Sequence, residues 1–169
     1  MYAIGDLVVY GSTGVCRVTD ITRPDFATAP KDRLYYVLTP EYQNGVIYTP
    51  VDTKVFMREV ISGEEIGSLI SEIPTVEAKG YYCSSVQLLT AYYEAILKSY
   101  RCIDLAKLVL SIRAKKKELE AQNRKLGQID ARFMKRAEDL LCGELAVVLG
   151  IGPDEVPAWF EERLSGAGN

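Results

Sequence analysis

The chain has 169 residues, 48% of them hydrophobic and 25% charged, which fits one ordinary domain or two small ones and excludes the disordered and fibrous classes. Net charge is −3 and histidine is absent, and the four cysteines (Cys16, Cys83, Cys102, Cys142) have no paired spacing, so a zinc site and a disulfide frame are both disfavoured. No apolar run approaches the roughly 18 residues that span a bilayer, and Met1–Asp6 lacks the basic start and apolar stretch of a signal peptide. The sequence therefore predicts a soluble, cytoplasmic protein with small, reduced, mostly buried cysteines.

The first sixty residues are β-rich. Strands are predicted over Asp6–Tyr10 and Val15–Ile21, joined by a turn at Gly11-Ser12-Thr13-Gly14. A loop follows from Pro24 to Lys31. Arg33–Thr39 and Gly45–Thr49 are the third and fourth strands. Between them Pro40–Gly45 supplies turn chemistry, with Asn44-Gly45 as a hairpin signal. Pro50 has no N–H for a ladder, so it should end the fourth strand or lie on a sheet edge. Val55–Val60 reads as a last short strand. Alternation puts Tyr35 and Tyr36 on opposite faces, leaving at least one of them for exposure. Short strands this closely spaced predict a small curled sheet or partly open barrel.

Composition changes after residue 61. Ser62 and Glu65 form a capping box that opens a short helix to Glu72, and Pro74 stops it. Thr75–Ser84 is loop-like, although Gly80-Tyr81-Tyr82 is unusual for an exposed linker. Three helices follow from apolar residues recurring at three and four: Val86 to Tyr100, Leu105 to Leu119, and Ile129 to Val148, with Gly127 breaking the last two apart. Pro153 suits the first turn of a final helix bearing Val156, Trp159, Phe160 and Leu164. Trp159 reads as a packing anchor for that helix. Residues 166–169 read as a free tail.

Charge is distributed unevenly. Residues 98–136 hold 12 Lys/Arg against 4 Asp/Glu, while the rest of the chain holds 8 against 19. The basic run Arg113, Lys115, Lys116, Lys117, Arg124, Lys125, Arg132, Lys135 and Arg136 has two readings. One is a solvated helical hairpin. The other is phosphate contact with DNA, since cations on a rigid hairpin displace condensed counterions. Aromatic residues are not interleaved with them, which disfavours a single-strand stacking platform. Enzymatic chemistry has little to rest on: a Ser or Cys nucleophile has no histidine base, and Gly11 and Gly14 fit neither phosphate-loop pattern. The reading is a non-enzyme with no cofactor and no small-molecule substrate.

In chain order, "GDLVVY" (5–10), "GVCRVTDI" (14–21), "YYVLTP" (35–40) and "IYTPVD" (47–52) resemble the CarD/CdnL family of bacterial transcription regulators. That family shares its N-terminal module with the polymerase-interaction domain of transcription-repair coupling factor. "REVIS" (58–62), "LAKLVLSI" (105–112), "RFMKRAEDLLCGELAVVLGI" (132–151) and "DEVPAWF" (154–160) extend the resemblance along the helical part. It implies an α+β fold: a Tudor/SH3-like antiparallel sheet or barrel at 1–61 that docks on the RNA polymerase β subunit, then an all-helical domain at 62–165 over promoter DNA that helps keep the melted promoter open. Docking would use the edge strand at Val46, Ile47, Tyr48, Thr49 and Pro50, with Arg17 and Arg23 as charged contacts.

The chain departs from the family at three places. The first turn, often Pro-His-x-Gly, is Gly11-Ser12-Thr13-Gly14, and Tyr48 stands where a basic residue is common near the end of the fourth strand. Family members also carry a tryptophan followed by arginines at the start of the second domain's longer helix, where it wedges at the edge of melted DNA. Here Val86 takes that place, followed by Gln87, Leu88 and Leu89, with Tyr81 or Tyr82 just upstream as substitutes. The absent tryptophan and the Leu88-Leu89 pair where basic residues are expected favour a rival reading, an adaptor that binds polymerase or another protein without touching DNA.

Overall fold

A computed structural model describes residues 1–24 and 32–167, with side chains described up to residue 163. Residues 25–31 of the predicted loop, the Leu164 side chain and the last two residues of the predicted tail lie outside the described residues. The chain divides into two compact units, Met1–Val60 and Ile61–Asn169. The first is an antiparallel sheet and the second is helical, an α+β fold as the sequence predicts.

The sheet comprises β1 (Leu7–Tyr10), β2 (Gly14–Thr22), β3 (Tyr35–Pro40), β4 (Ile47–Pro50) and β5 (Met57–Glu59), in the order β4-β3-β2-β1-β5. The β1–β2 hairpin closes through a single 3-10 turn, Gly11–Thr13, because Gly11 (φ 46°) and Gly14 (φ 86°) both take left-handed backbone. The Gly11 N–H donates to the Phe56 carbonyl at 2.8 Å, and a Cβ at Gly11 would meet Val55 at 3.1 Å. Pairing sets Val8 opposite Cys16 and Val9 opposite Val15. β2 bulges between Val18 and Asp20, so Val18 faces Leu38 while Asp20 faces Val37. Such a bulge bends and twists the strand.

Asn44-Gly45 does not form a two-residue turn. The last β3–β4 pair is Leu38 with Ile47, and Gly45 (φ 114°) lies near the end of the longer connection between them. The core of this unit gathers Val8, Cys16, Val18, Tyr36 and Leu38, with Tyr2, Tyr10, Ile21, Ile47 and Met57 around them. The Tyr2 N–H donates to the Tyr36 hydroxyl at 3.0 Å, folding the N-terminal segment back over the sheet. Tyr36 is thus the inward tyrosine; Tyr35, on the other face, is half-buried rather than exposed.

The helical unit contains α1 (Gly63–Glu72), α2 (Val86–Leu97), α3 (Cys102–Ala121), α4 (Gln128–Leu149) and α5 (Val156–Ala167). Ser62 caps α1, its Oγ accepting from the Glu65 N–H at 3.1 Å, and Pro74 follows in a 3-10 turn at Ile73–Thr75. Ser85 caps α2 in the same way through the Leu88 N–H. Pro153 opens a 3-10 turn before α5 instead of the helix itself, and α5 continues through residues 166 and 167 of the predicted tail.

Two clusters hold these helices. Leu89, Tyr93 and Leu97 of α2 pack with Leu105, Leu108, Val109 and Ile112 of α3 and Phe133 and Ala137 of α4. Ile66 and Leu69 of α1 meet Cys102, Ala106, Leu145 and Val156, with Trp159 and Phe160 packed against them. Trp159 therefore serves as the anchor predicted for α5. Ile61 opens this unit, its side chain buried in the second cluster and its N–H donating to the buried Glu144 carboxylate at 2.7 Å. All four cysteines are free thiols. Among the described residues no helix is long and apolar enough to cross a membrane.

Candidate functional site

β4 is the outer strand on its side of the sheet. Strand alternation turns Ile47 and Thr49 inward and leaves Val46 and Tyr48 exposed, at 56% and 46%. Thr49 is buried, its Oγ1 accepting from the Tyr10 hydroxyl at 3.1 Å, so its side chain is turned away from the outer face. Pro50 ends the strand opposite Tyr35, and the Val51 N–H carries the ladder one step further to the Leu34 carbonyl at 3.1 Å. The two predicted arginines differ. Arg17 is committed on the outer face of β2, donating to Glu41 and to the Gly5 carbonyl, each at 3.3 Å. Arg23 is exposed and has no ion pair among the described residues.

All eight cations predicted to contact DNA are exposed: Arg113, Lys116 and Lys117 on α3, Arg124 and Lys125 in the connection, and Arg132, Lys135 and Arg136 on α4. Arg113 pairs with Glu138 at 3.3 Å and Lys135 with Asp139 at 3.0 Å. Exposed pairs of this kind are weak, so both cations remain able to exchange carboxylate for phosphate. Arg132 lies over the Phe133 ring at 5.1 Å. Lys116, Lys117, Lys125 and Arg136 have no ion pair among the described residues.

Lys115 does not belong with them. It is buried, its ammonium 3.0 Å from Asp130 Oδ1, with the two side chains 7% and 5% exposed. The reason lies in its spacing: Lys115 falls on the buried stripe of Leu108, Ile112 and Leu119, one turn from each neighbour. The Tyr93 hydroxyl donates to the same Asp130 oxygen at 2.5 Å. Burial, and next the bond to Asp130, push the Tyr93 phenol well above its ordinary range.

This buried pair also explains the unusual Gly80-Tyr81-Tyr82 segment. Gly80 passes so close to α3 that a Cβ there would lie 2.7 Å from Lys115 Cβ. The Ser111 hydroxyl donates to the Lys79 carbonyl at 2.6 Å, and Tyr81 stacks on Tyr92 with ring centroids 3.7 Å apart. Tyr82 donates its hydroxyl to Glu118, and the Lys115 ammonium sits 5.0 Å from its ring. The loop is a fixed strap, and the two wedge positions flank it at one end: Tyr82 is 52% exposed and Val86, the first residue of α2, is 62% exposed.

The first unit is thus a small antiparallel sheet whose outer strand exposes Val46 and Tyr48. Residues 2–61 match the family model of the CarD-like/TRCF RID domain, and this part of the chain is such a domain, an RNA polymerase-interaction module. A search of curated proteins finds no match to the chain.

Proposed function

We propose that the protein is a cytoplasmic transcription regulator that docks on the RNA polymerase β subunit through β4 and modulates open-complex stability through its helical unit. The observation that carries this reading is the coincidence of the polymerase-interaction domain with an outer strand presenting Val46 and Tyr48. Main-chain pairing along β4 would supply affinity, and Tyr48 with its neighbours register. The exposed cations of α3 and α4 would hold promoter DNA by its phosphates, without reading sequence. The wedge is left out of this reading. Val86 has no aromatic face, and Tyr82 is held by Glu118 and Lys115.

The test is capture of a β-subunit fragment by the full chain, with Tyr48→Asp beside wild type. Binding that the substitution abolishes supports docking through β4; no binding at micromolar concentrations removes it.

The adaptor reading, binding of polymerase or another protein without DNA contact, is favoured by one observation: the first turn of α2 exposes Val86 and Leu88 and carries no cation. Footprinting of a promoter complex separates the two. Altered protection upstream of the melted region supports DNA contact, and unchanged protection supports the adaptor.

A further inference from the structure

The chain passes from the sheet to the helices without a spare residue. Glu59 pairs with Val8 in β5, and the Val60 N–H donates to the Leu7 carbonyl at 3.3 Å, one step further along the same ladder. The next N–H, that of Ile61, donates to the Glu144 carboxylate of the helical unit at 2.7 Å. Ser62 is already the cap of α1. Four successive residues are thus committed, two to each unit. Connections between domains ordinarily run through exposed segments rich in Gly, Pro or polar residues, and Glu59-Val60-Ile61-Ser62 holds neither Gly nor Pro.

Ile61 is held in two ways. Its side chain is buried just before the cap of α1, and Ile66, in the second turn of that helix, lies in the same apolar cluster. This is the spacing of a hydrophobic staple, which fixes the angle at which a chain enters its helix. The second hold is the bond to Glu144. The Ile61 N–H precedes the cap, so no bond of the helix takes it, and a buried N–H without an acceptor is destabilising.

Glu144 is out of place as a packing residue. It is 2% exposed on α4, beside Leu145 and Ala146 of the second cluster. A leucine would fill that space without the cost of burying a carboxylate. One carboxylate oxygen takes the Ile61 N–H, and the other accepts from the thiol of Cys102, the first residue of α3, at 3.3 Å. A single side chain of α4 therefore ties the entry of α1 to the start of α3. The N-terminal end of α3 also favours the negative charge.

We propose that Val60–Ile61 is a joint without slack and that Glu144 is the positioning residue that seats it on the helical unit. What freedom the two units have between them is then confined to the backbone angles of these two residues, not spread along a tether. For a protein that docks by its sheet, the helices are presented from a fixed point of attachment. That consequence rests on the docking reading; the joint itself does not.

Amide hydrogen exchange and proton–nitrogen nuclear Overhauser effects on the full chain test the joint. In wild type the Ile61 amide should be protected, and the amides of Val60, Ile61 and Ser62 should be as rigid as those of Glu59 and Gly63. Glu144→Leu should speed exchange at Ile61 about tenfold or more relative to the amides of α3. Glu144→Gln keeps an acceptor oxygen and should restore most of the protection; a role in packing alone would reverse that order. A Gly-Ser-Gly-Ser insertion after Val60 alters no buried group. It should leave capture of the β-subunit fragment unchanged and shorten the lifetime of the open promoter complex about threefold or more. Three results overturn the proposal: flexible amides at Val60, Ile61 and Ser62 in wild type, exchange at Ile61 indifferent to Glu144→Leu, or an insertion variant that sustains the complex as well as wild type. A wild-type chain without effect on the complex would instead remove the proposed function, and the exchange data would then decide the joint.

Discussion

The hydroxyl of Tyr93 and the ammonium of Lys115 converge on one oxygen of Asp130, at 2.5 and 3.0 Å, in the interior of the helical unit. α2, α3 and α4 each contribute one group, so this polar knot sets how the three helices meet. Removing Asp130 leaves a buried ammonium without a counter-charge. Asp130→Ala should therefore cost about 3–5 kcal/mol in urea unfolding. The triple change Lys115→Met, Asp130→Leu, Tyr93→Phe removes every polar member together and should recover most of that loss. A triple variant as unstable as Asp130→Ala would show that packing, not the unpaired charge, sets the cost.

Gly80 has no room for a side chain. Gly80→Ala places a methyl group against the Lys115 side chain and backbone, which overpacking values put at about 1–3 kcal/mol. The strap should lift, separating Tyr81 from Tyr92 and changing the near-ultraviolet circular dichroism. Unchanged stability and spectrum would mean that the strap is not held there.

The buried Cys16 thiol is pushed up from 9.0 to about 11, first by burial and then by the Glu41 charge. Because the folded state holds this proton more tightly than the unfolded chain, its contribution is fully present below pH 9 and is lost as pH rises through about 11. Unfolding midpoints should fall across that window, and Cys16→Val should flatten the fall. Cys16 should also react slowly with an alkylating reagent at pH 8, since the thiolate is the nucleophile. Fast alkylation in the native state would contradict this.

Lys116 and Lys117 carry no ion pair among the described residues, so charge reversal leaves no carboxylate stranded within the unit. Lys116→Glu with Lys117→Glu should weaken promoter-DNA association and lower the slope of log affinity against log salt by about 1–2. An unchanged slope, measured by titration at several salt concentrations, would remove α3 from the DNA-contacting surface.

Much of this organisation was readable from local sequence. Gly11 and Gly14 mark a turn because both take the positive φ that glycine adopts without strain, and the Ser62–Glu65 box starts a helix where it stands. Those signals act over a few residues. What escaped depends on residues far apart in the chain. Lys115 was grouped with surface cations, although its place on the stripe of Ile112 and Leu119 signalled burial; the partner that permits it is 15 residues away. Gly80 looked out of place because its reason is a side chain 35 residues further on. The fourth strand is legible in its pattern, yet the inward turn of Thr49 follows from register with β3 and from Tyr10, which no window around residue 49 contains.

The bulge in β2 has its own consequence for the chain beyond it. Cys16 and Val18 point into the core, and strict alternation would send Asp20 in after them. The extra residue resets the phase, so Ile21 joins the core and Asp20 stays outside. Strand β2 therefore keeps count. Deleting Thr19 would bring Val18 directly before Asp20, so plain alternation would keep Asp20 outside, Ile21 in the core and their pairs with Val37 and Tyr36 unchanged; what the strand would lose is the bend and extra twist of the bulge.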